Sequence, residues 1–367
     1  MTEYKCIGCG AVLQSEDENE SGFVPKSRIH EEDVICRRCF RLKNYNETPD
    51  VNIESGEFMT MLNSIYEKDG VIVKVIDVFD FEGSIIPSFN RIVGNKKIIV
   101  AVNKIDLLPK STNVSRLLNR LKKMLADEGI IANETVVVSG AKGFGLDDLI
   151  EQINQYSVGK DVYVVGTTNV GKSTLINKLI EATTGEKEVI TTSNIPGTTL
   201  GMIDIPLGSN QFMYDTPGVI AKSAMSTVLY LDDVKHIMPK KEIKPLTYQL
   251  DEGQTLFVSN LAQIDFVTGN RSSFTIYRSD KLVVHRTKLD NAKEFYRKHY
   301  NGLLAPPELE SPILLDNSET YTFKTDVRSD ILISGLCFIT VDKDITVNVT
   351  VPKGVKVIAR HTVFKDK

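Results

Sequence analysis

The stretch Gly166-Thr167-Thr168-Asn169-Val170-Gly171-Lys172-Ser173 decides the fold of this chain. An apolar run at 162–165 precedes it and predicts a strand, and residues 172–179 have helical spacing. The two glycines let the backbone wrap a phosphate, Lys172 would bridge the β- and γ-phosphates, and the Ser173 hydroxyl would bind Mg²⁺. We therefore predict a nucleotide phosphate site. The residues expected to contact nucleotide here are Thr168, Asn169, Val170, Gly171, Lys172, Ser173 and Thr174.

A second motif, Asn103-Lys104-Ile105-Asp106, precedes the phosphate loop and predicts guanine recognition. An ionised carboxylate only accepts hydrogen bonds, so Asp106 suits the two adjacent donors of guanine. Adenine would place an acceptor against that carboxylate. Asn103 is expected to tie the loop to the pocket, and the aliphatic stem of Lys104 to cover one face of the base. A loop without function is the alternative, but an apolar run at 98–102 favours the guanine interpretation.

A third segment, Ser139-Gly140-Ala141-Lys142-Gly143, follows another apolar run. It resembles the Ser-Ala-x-x-Gly segment in which a backbone N–H contacts the guanine carbonyl. Gly140 stands at the usual alanine position, and a main-chain contact survives that change. We expect Ser139, Gly140 and Ala141 to line the base pocket.

The segment Asp215-Thr216-Pro217-Gly218 is typical of the second switch of a GTPase. Asp215 would act on Mg²⁺ through water, and the Gly218 N–H would meet the γ-phosphate. The next residue is Val219, where many GTPases carry a glutamine that orients the attacking water. Valine offers no polar group, so hydrolysis must rely on something else.

The segment Pro196-Gly197-Thr198-Thr199 is typical of the first switch. Thr199 is the expected Mg²⁺ ligand and Thr198 the alternative, while a solvated loop is the alternative for both. Gly201 replaces the acidic residue that related GTPases often carry after the switch threonine, which leaves the anchoring of this segment open.

Asn169 suggests how hydrolysis proceeds without the glutamine. It resembles the asparagine that coordinates potassium in cation-activated GTPases, where the ion neutralises charge that develops between the β- and γ-phosphates. The alternative is that Asn169 caps its own turn. The potassium hypothesis predicts faster turnover in KCl than in NaCl.

The order of the motifs is base, phosphate, switches, whereas in ordinary small GTPases the phosphate loop comes first. The chain therefore looks circularly permuted. Strand-like runs alternate with helical stretches between 55 and 222, which predicts an α/β fold with a mostly parallel sheet covered on both faces. The runs are 71–77, 97–102, 135–138 and 162–165, and the helical stretches include 115–128 and 146–156.

Four of the five cysteines form two pairs, Cys6-Ile7-Gly8-Cys9 and Cys36-Arg37-Arg38-Cys39. In a reducing compartment two such pairs favour a closed, four-thiolate zinc site over disulfides. His30 is a weaker candidate because the four cysteines already fill the shell. Cys337 lies in an apolar run, 331–341, which we interpret as one strand with a buried thiol.

Composition is that of a soluble globular protein, with 41% apolar and 25% charged residues and a net charge of −4. No apolar run approaches the ~20 residues that cross a bilayer, and the first residues lack a secretory apolar core. We expect a cytoplasmic protein, a monomer, without membrane attachment. Binding to nucleic acid would require local basic patches.

Three domains are predicted: a zinc module at 1–48, a permuted GTPase domain at 49–222, and a β-rich α+β domain at 223–367. The last contains a helical piece at 226–237, strand-like runs and a basic helix at 291–299. Basic stretches at 37–45, 235–244 and 285–299 are candidate RNA contacts, and solvated basic surfaces are equally compatible with the sequence. The strand-like runs are 255–258, 273–277 and 281–285, followed by an alternating region at 321–364.

With its permuted motifs, paired cysteines and β-rich end, the sequence resembles the YqeH family of circularly permuted GTPases over essentially its whole length. The resemblance implies a role in ribosome assembly, at the small-subunit precursor, through ribosomal RNA. It also implies slow intrinsic GTP hydrolysis with potassium dependence. A C-terminal domain like the RNA-binding fold of the trp attenuation protein is implied as well.

Two other functions stay open at this point. One is a GTPase with an RNA-modification or membrane-associated task, for which no supporting residues are present. The other is an RNA- or peptide-binding scaffold in which guanine nucleotide is mainly structural. Intact Lys172, Ser173 and Asp215 argue against the scaffold, while Val219 keeps it open.

Overall fold

The computed structural model describes residues 4, 12–16, 22–26, 29, 34, 65–86, 89–184, 203–208, 211–216, 218, 221 and 223–362. The chain divides into two compact units. The first comprises Met1–Val78, Ser84–Ile105 and Lys122–Ile220. The second comprises Phe79–Gly83, Asp106–Leu121 and Ala221–Lys367. Two short segments from the N-terminal half of the chain thus belong to the second unit.

The first unit contains a six-stranded sheet with the spatial order β3-β2-β1-β4-β6-β5. Its strands are β1 (Gly70–Asp77), β2 (Lys97–Asn103), β3 (Glu134–Val137), β4 (Asp161–Val165), β5 (Ile203–Gly208) and β6 (Gln211–Asp215). Every adjacent pair is parallel except β5 with β6, which is antiparallel. The predicted mostly parallel sheet is therefore confirmed.

Among the described residues of the N-terminal half, the α-helices are α1 (Phe89–Val93), α2 (Val114–Asp127), α3 (Leu146–Tyr156) and α4 (Lys172–Thr184). Apolar side chains of β1, β2 and β4 on one face of the sheet form a core with α3 and α4. All eight residues of β1 are buried, as expected of an inner strand in a parallel sheet. This burial explains why the strand sequence is almost continuously apolar.

The strand order changes direction between β1 and β4. From β1 the chain continues through β2 to β3 on one side, whereas β4 is followed by β6 and β5 on the other. In open α/β sheets, ligands bind at the carboxyl ends of the strands at such a switch point. The phosphate loop follows β4 directly, so the topology places it there.

The second unit is built around two five-stranded antiparallel sheets, ordered β16-β13-β14-β10-β7 and β11-β8-β9-β15-β12. Side chains from both sheets form one apolar core, which makes this part a β-sandwich. The strands are β7 (Leu246–Leu250), β8 (Gln254–Val258), β9 (Ala262–Thr268), β10 (Ser272–Arg278), β11 (Val284–Lys288), β12 (Ser318–Thr325), β13 (Ser329–Ile333), β14 (Cys337–Val341), β15 (Ile345–Pro352) and β16 (Val357–His361). The helices are α5 (Leu231–Ile237), α6 (Ala292–His299) and α7 (Ile313–Asp316).

Two predictions in this region were wrong in detail. The run 331–341 is not one strand but the hairpin β13–β14, which turns at Gly335 with φ +72°. The helical piece 226–237 is a 3-10 turn, Met225–Val228, followed by α5. The run 331–341 is apolar except at Ser334, Gly335 and Thr340, whereas 226–237 mixes apolar and polar residues. In neither stretch did the apolar pattern alone reveal the interruption. The basic helix predicted at 291–299 is confirmed as α6.

Among the residues described here, no helix combines the length and apolar character that a bilayer span requires.

Candidate nucleotide-binding site

The phosphate loop lies between β4 and α4, as the sequence predicted. Gly171 has φ +85° and Asn169 has φ +64°, so the loop uses left-handed backbone at two positions. Glycine is needed at 171 because a Cβ there would lie 2.6 Å from Nδ2 of Asn103. The loop is therefore closed tightly against the guanine motif.

The side chain of Lys172 folds back over its own loop. Its Nζ donates to the carbonyl oxygens of Gly166 and Thr167 at 3.3 and 3.4 Å. Gly218 of the second switch lies against the same group, since a Cβ there would be 3.0 Å from the lysine Nζ. An ammonium in this position can neutralise phosphate charge where the switch approaches.

The side chains of Ser173 and Asp215 bring two oxygen atoms close together. Ser173 Oγ donates to Asp215 Oδ2 at 3.1 Å, with the serine at the start of α4 and the aspartate at the end of β6. The two residues meet because β6 is the parallel neighbour of β4. A hydroxyl and a carboxylate are hard oxygen donors of the kind that Mg²⁺ prefers, so the pair fits that ion.

Asn103 connects three loops. It is 2% exposed, and its Nδ2 donates to the carbonyl oxygens of Val170 at 2.9 Å and Gly171 at 3.4 Å. Its Oδ1 accepts the N–H of Gly140 at 2.9 Å. The guanine motif, the phosphate loop and the segment beginning at Ser139 therefore converge on one amide group.

The loop around Gly140 packs directly on α4. A Cβ at Gly140 would lie 2.9 Å from both the backbone nitrogen and the Cα of Leu175, which explains why the chain carries glycine there. Ser139 is buried and its Oγ accepts the N–H of Lys142 at 2.9 Å. Ala141, the third predicted residue, is exposed.

Lys104 also has left-handed backbone, with φ +67°. Its Nζ lies 2.7 Å from Oδ2 of Asp77 and donates to the carbonyl oxygen of Asn169. Asp106 follows in a 3-10 turn, Ile105–Leu107, and is partly buried. Sequence reasoning missed Asp77. The available signal was a carboxylate at the end of an apolar run beside the strand that carries the phosphate loop.

A second missed residue is Lys74, in the middle of β1, which is fully buried. Its Nζ donates to the carbonyl oxygen of Ser84 at 3.3 Å and lies 4.3 Å from the centroid of the Phe89 ring. Burial, with a smaller contribution from the charge of Lys172, lowers the pKa of Lys74 to about 7. The sequence shows a lysine within the apolar run 71–77, but no local pattern indicates that its side chain is fully buried.

Several predicted site residues lie outside the described residues: Cys6, Cys9, Cys36, Cys39, Thr198, Thr199 and Val219. Within the ranges that the structure does describe, no group of three or more His, Cys, Asp or Glu side chains could hold a metal ion. Cys337 is buried in the sandwich core, and burial raises the pKa of its thiol. The prediction that Cys337 is buried is confirmed.

Three features define the class of protein. They are a phosphate loop at the switch point of a parallel sheet, an oxygen pair suited to Mg²⁺, and a guanine motif linked to that loop. The protein is a P-loop GTPase whose motifs are circularly permuted.

Comparison with known proteins agrees with this class. The family models described as "YqeH-like, C-terminal" and "50S ribosome-binding GTPase" match residues 271–363 and 161–264. The chain is 45% identical to YqeH of Bacillus subtilis (strain 168), over 99% of this chain and 100% of that protein. It is 28% identical to NO-associated protein 1, chloroplastic/mitochondrial, of Arabidopsis thaliana, over 97% and 76%. It is 25% identical to GTPase Der of Thermoanaerobacter sp. (strain X514), over 56% and 53%.

The chain belongs to the YqeH family. It is a GTPase, and its family implies GTP, GDP and Mg²⁺ as ligands.

Proposed function

We propose that this GTPase is a nucleotide-dependent switch in ribosome assembly, which acts on the small-subunit precursor through ribosomal RNA. The observation that carries the guanine site is the pair of contacts made by the Asn103 amide, whose Nδ2 donates to the phosphate loop and whose Oδ1 accepts from the Gly140 N–H. The second switch ends only a few residues before the C-terminal unit resumes at Ala221. Ordering of Gly218 by a γ-phosphate would therefore reach that unit through a short connection.

The assignment of the base pocket is tested by Asp106→Asn. An amide places a donor where guanine also has a donor, so we expect the variant to prefer xanthine over guanine nucleotides. Dissociation constants for GDP and XDP give the measurement, and Asp147→Asn, at an exposed aspartate, is the matched control. An unchanged preference for GDP would show that the base loop is misassigned.

Potassium at Asn169 is part of the proposal. The Asn169 side chain is exposed and its carbonyl already holds Lys104, so the residue stands at the open side of the phosphate loop. We expect GTP turnover in KCl to exceed turnover in NaCl at equal ionic strength. Equal rates in the two salts would show that potassium has no part in GTP hydrolysis.

RNA contact is proposed for the basic stretch 285–299, which forms β11 and α6. Arg297 and Lys298 are exposed on α6, and the His285 ring stacks on Phe295 with centroids 4.5 Å apart. Cations beside aromatic rings suit contacts with phosphates and bases. Such binding should weaken steeply as salt is raised.

The ribosomal partner is tested by co-sedimentation with purified small and large subunits, in GDP and in a non-hydrolysable GTP analogue. The description of the matched GTPase family names the 50S subunit, so both subunits are needed. Nucleotide-dependent binding to the small subunit supports the proposal. Binding to the large subunit alone, or binding that ignores the nucleotide, contradicts it.

We also propose that Cys6, Cys9, Cys36 and Cys39 hold one structural zinc ion, and that the protein acts in the cytoplasm as a monomer. Two Cys-x-x-Cys pairs supply the four thiolates of a closed site. One zinc per chain by elemental analysis, lost on replacing Cys36 by serine, would support the site. The proposed domains remain 1–48, 49–222 and 223–367.

A further inference from the structure

Asp77 stands at the carboxyl end of β1 and forms an ion pair with the lysine of the guanine motif. Its Oδ2 lies 2.7 Å from Nζ of Lys104, and the two side chains are 12% and 20% exposed. We propose that Asp77 is a positioning residue that fixes Lys104 in the place where its stem covers the base. This inference rests on the proposed role of Lys104 in the base pocket.

Lys104 needs such a partner because lysine is long and flexible. Its backbone is left-handed at φ +67°, so the side chain leaves the chain in an uncommon direction. The ammonium donates to both the Asp77 carboxylate and the Asn169 carbonyl. Holding the ammonium at two points orders the stem before nucleotide arrives, which removes an entropic cost from binding.

Asp77 is itself held firmly. In the parallel ladder it is the register partner of Asn103, and the N–H of the next residue, Val78, donates to the Asn103 carbonyl at 3.1 Å. The N–H of Asp77 donates to Ser84 Oγ at 3.0 Å. The Ser84 carbonyl in turn accepts from Lys74. The carboxylate therefore has a fixed location, to which the lysine conforms.

The role of Asp77 differs from that of Asp106. A lysine stem covers the face of any purine, so its placement affects affinity but does not distinguish the hydrogen-bonding edges of bases. Loss of the Asp77 carboxylate should therefore weaken the binding of GDP and the binding of XDP by the same factor. Asp106 reads the edge, and its replacement should alter the ratio of the two affinities.

The test measures dissociation constants of GDP and XDP for the full-length protein and its variants. We expect Asp77→Asn to weaken the binding of both nucleotides about tenfold, which is the effect expected from losing a partly buried, charge-assisted hydrogen bond. Asp69→Asn is the matched control. Asp69 also pairs with a lysine, Lys160 at 3.1 Å, but at the opposite end of β1 and 74% exposed, so we expect its loss to change affinity less than twofold.

A double-mutant cycle separates positioning from general structural support. In a Lys104→Met background, Asp77→Asn should change the GDP affinity less than twofold, because the side chain through which it acts is gone. A persisting tenfold effect would overturn the proposal. If Asp77→Asn does not fold, Asp77→Glu, which moves the charge by one methylene, serves in the same cycle with the same expected loss of coupling.

The outcomes also separate this inference from the proposed function. If Asp106→Asn shifts preference to XDP while Asp77→Asn binds GDP as the Asp69→Asn control does, only the role of Asp77 is wrong. If Asp106→Asn leaves the preference unchanged, the base pocket itself is misassigned.

Discussion

Asn103 uses both ends of its amide group, and this double use explains why asparagine is required at that position. The nitrogen donates to the phosphate loop and the oxygen accepts from Gly140. An aspartate would lose the donor, and a shorter side chain would lose both contacts. One buried residue thereby sets the distance between the base loop and the phosphate loop.

Lys74 is the other residue whose chemistry departs from its surroundings. It has no exposed surface, and within the described contacts its ammonium meets one carbonyl and one aromatic ring. Burying a charge with so few partners disfavours the protonated form, which is the main reason for its low pKa. Lys74 therefore makes the stability of the first unit depend on pH.

We predict that Lys74→Met is more stable than the wild type near pH 7 and that the difference shrinks towards pH 10. The folded chain has a pKa of about 7 at Lys74, while the unfolded chain keeps the ordinary value of 10.5. Between these values the unfolded state binds the extra proton, so wild-type stability rises with pH. The expected difference at pH 7 is on the order of a few kcal/mol.

Urea unfolding followed by circular dichroism gives the measurement, since the chain has no tryptophan. Lys97→Met, which removes an exposed lysine of β2, is the matched control. A stability difference for Lys74→Met that stays constant from pH 6 to 10 would contradict the assigned pKa.

At the scale of elements, the site depends on how closely α4 approaches the loop after β3. No Cβ fits at Gly140, because the backbone of α4 at Leu175 would lie 2.9 Å away. To relieve that clash, one of two elements must move. One is α4, which begins at the phosphate loop, and the other is the loop of Gly140, whose N–H donates to Asn103. Helix placement and base-loop placement are thus linked by one close contact.

We predict that Gly140→Ala destabilises the protein by about 1–3 kcal/mol and weakens GDP binding, because overpacking shifts backbone at the site. Gly302→Ala is the control, since a Cβ there meets nothing nearer than 3.7 Å. Thermal melting with and without GDP measures both effects. If Gly140→Ala has the same melting temperature and the same GDP affinity as the control, the prediction is wrong and α4 moves enough to accommodate the added methyl group without cost.

At the scale of the whole molecule, residues far apart in sequence meet in the second unit. Arg360 of β16 pairs with Glu82, and its Nε lies 3.9 Å from Oδ2 of Asp330. Asp330 is fully buried and accepts from Thr340 at 2.6 Å. Phe79 packs on Phe338, with ring centroids 5.9 Å apart. The segment that follows β1 in sequence is thereby part of the C-terminal sandwich.

We predict that Arg360→Met destabilises the second unit by about 3–5 kcal/mol, because the buried Asp330 and the largely buried Glu82 lose their cation. Lys343→Met is the control. Its ion pair with Asp344 is more than two-thirds exposed on both sides and should contribute less than about 1 kcal/mol. Urea unfolding of the full chain measures the difference. Equal midpoints for the two variants would contradict the prediction.

The sequence by itself was enough to predict the class of the protein and its nucleotide site. Particular residue types at fixed spacing are needed to wrap a phosphate with backbone N–H groups, to hold Mg²⁺ and to recognise guanine, so each of these functions produces a local motif. The order of the motifs along the chain then reveals the permutation. Strands and helices of the α/β part were also predictable, since each buries a continuous or periodic apolar surface.

Only the tertiary structure decided which residues support those motifs. Asp77 meets Lys104 because β1 and β2 pair in one register, and Lys74 is buried because β1 lies inside the sheet. The hairpin in 331–341 and the assignment of Phe79–Gly83 to the second unit likewise depend on packing between distant segments. Partners tens to hundreds of residues apart leave no local pattern, because strand order and register bring them together.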